Sequence, residues 1–191
     1  SSASASNKYR DQYILAFLEN ELGSQAMRAG KLDQAIKHFK TAIDLDKRTV
    51  PAYLNLGDVR NKRGEVNEAI DAWKEVAKVA PERAYLAFSR LEAAFVTLEA
   101  TSPFIDLCRR LIKETPKDWR ARLALGQHFA AHGEPTHALD LLFESLVHNP
   151  HALAIHQAIW RILIALNFNK TLVRRYTELT RDAVFYLDPH I

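Results

Sequence analysis

The side chains best suited to chemistry in this 191-residue sequence are its histidines and its single cysteine. His128 and His132 stand four apart, a spacing that puts two imidazoles on one side of a helix, and His137 follows shortly after. The run between them reads "HFAAH", without the glutamate of a zinc-protease motif, and no third carboxylate ligand accompanies it. A structural role is therefore expected for these three, and likewise for His148, His151 and His156 around Pro150. One cysteine, Cys108, excludes an internal disulfide and a cysteine-built zinc site. Arg109 and Arg110 would lower its pKa only by reaching the sulfur, and on a helix they project elsewhere. Cys108 is expected to act as a small buried hydrophobe. No Ser–His–Asp arrangement, phosphate-cradling loop or matched carboxylate pair appears, and Gly30-Lys31 and Gly64-Glu65 read as turns. The expectation is a non-enzyme with no catalytic, metal or cofactor-binding residues.

Composition narrows the partners. Apolar residues at 48% and charged residues at 26% are the balance of a soluble folded chain, which excludes wholesale disorder. No apolar run approaches the ~18–20 residues of a membrane span. The six glycines and seven prolines do not punctuate alternating β-branched runs, so an all-β fold is excluded. The 26 basic and 23 acidic residues interleave, and no nucleic-acid partner is expected. The basic groups Arg60/Lys62/Arg63, Arg109/Arg110/Lys113 and Arg174/Arg175/Arg181 each lie beside acids, as solvated helix faces do.

The elements behind these residues repeat. "ELGSQAMRAGKLDQAIKHFKTAI" from Glu21 and "NLGDVRNKRGEVNEAIDAWKEVA" from Asn55 match with a period of 34, which aligns Gly23 with Gly57, Gly30 with Gly64, Ala35 with Ala69 and Phe39 with Trp73. Gly126, Gly133 and Ala138 recur at the same offsets further on. Each unit reads as two amphipathic helices, with Leu22, Ala26 and Ala29 in one first helix and Ala35, Ile36, Phe39, Ala42 and Ile43 in the second. Helices are predicted over 11–29, 32–46, 50–63, 66–79, 83–98, 102–114, 118–132, 135–148, 152–166 and 170–186. Facing small residues allow two backbones to approach closely, beside a large side chain such as Phe39 or Trp73. One pair cannot bury its apolar face alone, so the pairs are expected to stack.

This pattern resembles the tetratricopeptide repeat, with its small residue at position 8, Ala at 20, aromatic at 24 and Pro at 32. The resemblance implies an all-α, right-handed superhelical solenoid of about five antiparallel helix pairs. It would span 10–191 after a linker or disordered start at 1–9, with repeats over 16–49, 50–84, 85–118, 119–152 and 153–186. Repeats three and five depart: Glu92 and Phe104, then Trp160 and Leu172, fill the positions expected to be small, so those pairs must splay or repack. In the resembled repeat the concave face is lined by positions 2, 5, 9 and 12 of the first helices. Carried onto this sequence, that face gives Asn20, Ser24, Asp58, Asn61, Arg120, Gln127, Gln157 and Arg161, with Arg90 close by. A polar, amide-rich lining suits a protein or peptide partner held in an extended or helical form. The Lys and Asn set that clamps a carboxylate is not reproduced, so a chaperone's acidic C-terminus is not expected to be the partner.

A narrower resemblance lies in the order of strong and weak repeats. "YILAFLENELGSQAMRAGKLDQAIKHFKTAIDLDKRTVPAYLNLGDVRNKRGEVNEAIDAWKEV" and "FIDLCRRLIKETPKDWRARLALGQHFAAHGEPTHALDLLFESLVHNP" are similar to the second half of the repeat region of lipopolysaccharide assembly protein B. The closing "RRYTELTRDAVFYLDPHI" resembles the segment leading into that family's zinc module. The resemblance implies a cytoplasmic, membrane-associated adaptor that links an inner-membrane protease to control of lipid A synthesis. Its membrane contact and four-cysteine zinc module would lie outside these residues. A general scaffold of a secretion, pilus or regulatory complex, or the repeat arm of a larger enzyme, also fits the periodicity.

Overall fold

The computed structural model describes residues 2–181. Ten α-helices follow one another with no strand among the described residues: α1 (Ser2–Arg28), α2 (Leu32–Leu45), α3 (Val50–Lys62), α4 (Val66–Val79), α5 (Phe88–Thr97), α6 (Ser102–Glu114), α7 (Trp119–Ala131), α8 (Pro135–His148), α9 (Leu153–Ala165) and α10 (Lys170–Thr180). Odd-numbered helices are the first, and even-numbered ones the second, of each repeat. The chain divides into two compact units, Ser1–Glu99 and Ala100–Ile191.

Two boundaries differ from expectation. Residues 2–9, read as a linker, form the opening turns of α1, because the Ser and Ala there include no Gly or Pro to interrupt a helix. The helix expected over 83–98 is divided into a 3-10 segment, Pro81–Ala87, and α5. Pro81 starts the tighter turn, where its missing N–H leaves no bond unmade. The expected end of α10 at 186 and the "FYLDPHI" segment lie outside the described residues.

The turns inside the repeats share one device. Gly30 (φ 74°) and Gly64 (φ 83°) take the left-handed conformation that an L side chain resists. The next residue then donates back five positions, from Lys31 N to Ala26 O (2.9 Å) and from Glu65 N to Arg60 O (3.0 Å), which satisfies carbonyls at the helix end. In the fifth repeat the same bond runs from Phe168 N to Leu163 O (2.8 Å), although Asn167 at φ 51° replaces the glycine. In the third, Glu99 holds φ 52°.

Packing follows the small residues. Ala35, Ala69 and Ala138 are completely buried. A Cβ on Gly23 would lie 2.5 Å from the Phe39 ring, and one on Gly57 would lie 2.2 Å from Trp73 Nε1, so each glycine is the space its aromatic partner occupies. In the second unit Gly126 has more room, with Leu142 Cγ at 3.1 Å. The core there joins Leu139, Leu142 and Phe143 of α8 to Ile155, Ile159 and Ile162 of α9. Leu22, grouped with the core from periodicity, lies instead on the exposed flank of α1, and Ala29, in the turn after it, is exposed too.

The repeats that depart from the pattern repack. Phe104 is fully buried and meets the His128 ring edge-on, with centroids 5.5 Å apart. Trp160, 40% exposed, fills the position that is glycine in α3, and α10 leans on α8. Arg175 bonds Asp140 at 2.8 Å and lies over the Phe143 ring.

Candidate partner-binding face

The nine residues expected on the binding face divide into those used inside the fold and those left free. In the first unit Asn20 is buried, and its Oδ1 accepts from Asn55 Nδ2 at 3.0 Å. Ser24 Oγ donates to Asn20 O at 3.0 Å and lies 3.4 Å from the same Asn55 amide, so this trio ties α1 to α3. Asp58 is used more heavily. Arg90 Nε donates to its Oδ1 at 2.6 Å and Arg90 Nη2 to its Oδ2 at 2.9 Å, a two-pronged ion pair between α3 and α5. Trp73 Nε1 donates to Asp58 Oδ1 and to Leu54 O, each at 3.2 Å. Arg90 also donates from Nη1 to Leu86 O. The bonds to Asp58 push its guanidinium above the usual arginine range.

One chain of causes runs through this cluster. The absent side chain at Gly57 admits the Trp73 indole, the indole N–H braces Asp58, and Asp58 fixes Arg90. Beside it, Asp58, Asn61, Trp73, Ser89 and Arg90 line a cleft of about 320 Å³. Asn61 is exposed there and its side chain makes no bond among the described residues.

In the second unit Arg120 is engaged by Asp118, which also caps α7 by accepting from Arg120 N at 2.9 Å. Burial raises the Asp118 carboxyl, but the bonds from Arg120 more than offset it and hold the group below its usual range. Gln127, Gln157 and Arg161 are exposed and make no side-chain bond among the described residues.

Sequence reasoning missed four participants. Asn55 joins Asn20 and Ser24, a contact between residues 35 and 31 positions apart. Arg122 is buried, donating to Pro116 O at 2.6 Å and to Glu144 at 3.0 Å, and so ties a repeat junction to α7 and α8. Tyr13 and Phe17 stand exposed on α1 around a cleft that also holds Asn20, Arg48 and Arg83. Their i, i+4 spacing was the one available signal.

Several of the histidines are used inside the structure. His132 Nδ1 donates to His128 O at 2.8 Å, and the two rings stack 4.1 Å apart instead of converging on a point. His156 is buried; its Nε2 faces Pro150 O at 2.6 Å, which can only accept, so Nε2 carries the proton and Nδ1 accepts from the Tyr176 hydroxyl at 2.8 Å. Trp160 Nε1 donates to the same hydroxyl at 2.7 Å. Burial raises the Tyr176 hydroxyl above its usual range. Cys108 is fully buried. The basic groups are paired on the surface, as Arg63 with Asp33 and Glu65, Arg110 with Glu114, and Arg174 with Glu178.

Helix pairs joined through glycine and alanine, in this order, are similar to those of tetratricopeptide-repeat proteins. Residues 23–60 match the family described as TPR repeat, and residues 106–152 match the tetratricopeptide repeat family. Among curated proteins, the chloroplastic tetratricopeptide repeat domain-containing protein PYG7 of Arabidopsis thaliana is 37% identical over 81 residues. That match covers 38% of this chain and only 27% of the relative's length. Among solved structures, a MamA protein is similar at a TM-score of 0.54 and 19% identity, over 93% of this chain and 98% of its own. MamA 41-end from Desulfovibrio magneticus RS-1 is similar at 0.53 and 16% identity, over 91% and 97%. At these identities the likeness is one of fold. No described helix is long and apolar enough to cross a membrane.

Proposed function

We propose that the chain is a non-catalytic adaptor that holds a protein partner, as a helical or extended segment, against the polar side chains of its first helices. The observation that carries this reading is the division just described. Asn61, Gln127, Gln157 and Arg161 remain exposed with no side-chain partner among the described residues, while Asn20, Ser24, Asp58, Arg90 and Arg120 are used to fix the helices that present them. Unpaired amides and a guanidinium on rigid helices offer hydrogen bonds at little ordering cost, which is how repeat proteins grip peptides.

We assign the adaptor to lipopolysaccharide assembly on the cytoplasmic side of a membrane, with membrane contact made by parts outside this chain. Support comes from the order of strong and weak repeats, in which repeats one, two and four match the pattern and three and five depart from it. The test is affinity capture from a bacterial extract with the chain and with an Asn61→Ala, Gln127→Ala, Gln157→Ala, Arg161→Ala variant. The account predicts capture of an inner-membrane protease or a lipid A control protein, and at least a tenfold loss with the variant. Undiminished capture by the variant overturns the binding face. A captured set drawn only from secretion or pilus assembly overturns the lipopolysaccharide assignment.

A further inference from the structure

Within the second unit, the first helices α7 and α9 carry the same four positions along one flank. On α7 these are Trp119, Leu123, Gly126 and Ala130, all buried or half-buried, and three of them pack against the core that α8 and α9 share. One repeat later, α9 places Leu153, Gln157, Trp160 and Ile164 there, and all four are exposed. The cause lies in the seam. Trp160 stands where α7 has Gly126, so α10 cannot close on α9; it leans on α8 and meets α9 at Tyr176.

α9 is thereby apolar on two opposite sides. Ile155, Ile159 and Ile162 fill the core side. Leu153, Trp160 and Ile164, at i, i+7 and i+11, form one line on the other. A helix apolar all round is ordinarily covered all round. The line is about 16 Å long and one helix wide, the dimensions of a second helix and not of a bilayer surface.

Charge beside this line has one sign. No Asp or Glu occurs from Ser145 to Thr177. Of the Lys and Arg in that stretch, Arg174 pairs with Glu178 and Arg175 with Asp140, while Arg161 and Lys170 make no ion pair among the described residues. Arg161 is exposed, and its spacing of four from Gln157 sets it at the edge of the apolar line.

We infer that this flank of α9 seats an acidic amphipathic helix of a protein partner. Apolar side chains of that helix lie along Leu153, Trp160 and Ile164, and an Asp or Glu on its edge pairs with Arg161, while Gln157 bonds its polar rim. An unopposed cation and an acid-free helix repel a basic segment. The inference rests on the first-helix reading of function, to which Gln157 and Arg161 belong, and adds the chemistry of the partner.

The experiment is fluorescence anisotropy of labelled, end-capped 14-residue amphipathic helices, Leu/Glu and Leu/Lys, titrated with the whole chain at physiological ionic strength. Expected are one-to-one binding of the Leu/Glu peptide, at least tenfold tighter than Leu/Lys, and a shift of the Ile164 methyl signal. Ile164→Ser and Arg161→Glu should each weaken Leu/Glu binding at least tenfold, and Arg161→Glu should reverse the preference. Both positions are exposed, so the variants should fold, and circular dichroism checks that they do. No binding, equal binding of the two peptides, or binding indifferent to Ile164→Ser would each overturn the inference. So would a dimer of the free chain that Ile164→Ser dissolves, Overhauser contacts from the Ile164 methyl to residues 182–191, or binding of phosphatidylglycerol vesicles in place of the peptide. Extract capture weakened by the four-alanine variant but untouched by Ile164→Ser keeps the first-helix reading and overturns this seat; capture undiminished by either overturns both.

Discussion

The α3–α4 and α9–α10 pairs occupy the same place in the repeat and solve the packing problem in opposite ways. In the first, Gly57 gives its space to Trp73, the two helices close, and the indole N–H is delivered to Asp58. In the second, Trp160 stands where the glycine would be, the space is filled from the wrong side, and α10 leans on α8. The seam is then held by polar contacts instead: Trp160 and His156 meet at the Tyr176 hydroxyl. One missing side chain thus decides whether a helix pair is joined by close packing or by a hydrogen-bonded relay. It also decides whether the large aromatic ring is hidden or half exposed.

Breaking the close seam should have the largest effect. Gly57→Ala gains about 1 kcal/mol in helix propensity, but its Cβ would lie 2.2 Å from a buried indole. The expected net loss is about 2–3 kcal/mol by urea unfolding. The looser seam sharpens the contrast, since Gly126→Ala meets Leu142 at 3.1 Å and should stay within about 0.5 kcal/mol of the parent. Next, Tyr176→Phe removes the hydroxyl between His156 and Trp160 and leaves both ring nitrogens unpaired. A loss of about 1–2 kcal/mol is expected, measured by thermal unfolding of the second unit's signal.

A smaller and opposite effect is expected at the third repeat's turn. Glu99→Gly relieves a left-handed non-glycine residue and should stabilise by about 1 kcal/mol, seen as a higher urea midpoint. The smallest effect is pH-dependent. Asp118 has a folded pKa below its unfolded value, so its contribution is present above the unfolded value and is lost as pH falls through the folded one. Asp118→Asn should therefore be less stable than the parent at neutral pH, and the gap should close as pH drops below the ordinary carboxylate range.

Much of this was legible in the residues themselves. The period of 34 and the facing Gly and Ala place the helix pairs, because close approach leaves a local mark that recurs. The departures at Glu92, Phe104, Trp160 and Leu172 mark where pairs repack. The occupied members of the binding face were not legible. Asp58 and Arg90 are 32 positions apart, and nothing local says that one consumes the other. Arg122 reads as a surface cation until Pro116 and Glu144 fold around it. The turns at Glu99 and Asn167 lack the glycine that announces a left-handed residue. The helical start of α1 was hidden by a Ser/Ala composition that suits linker and helix alike.

The claim on which the site depends is that Gly57 acts through Trp73, and a double-mutant cycle tests it directly. Gly57→Ala is measured by urea unfolding in the parent chain and in a Trp73→Leu background. The account predicts a cost of about 2–3 kcal/mol in the parent and none, or a gain of up to about 1 kcal/mol, once the indole is gone. An equal cost in both backgrounds would contradict it.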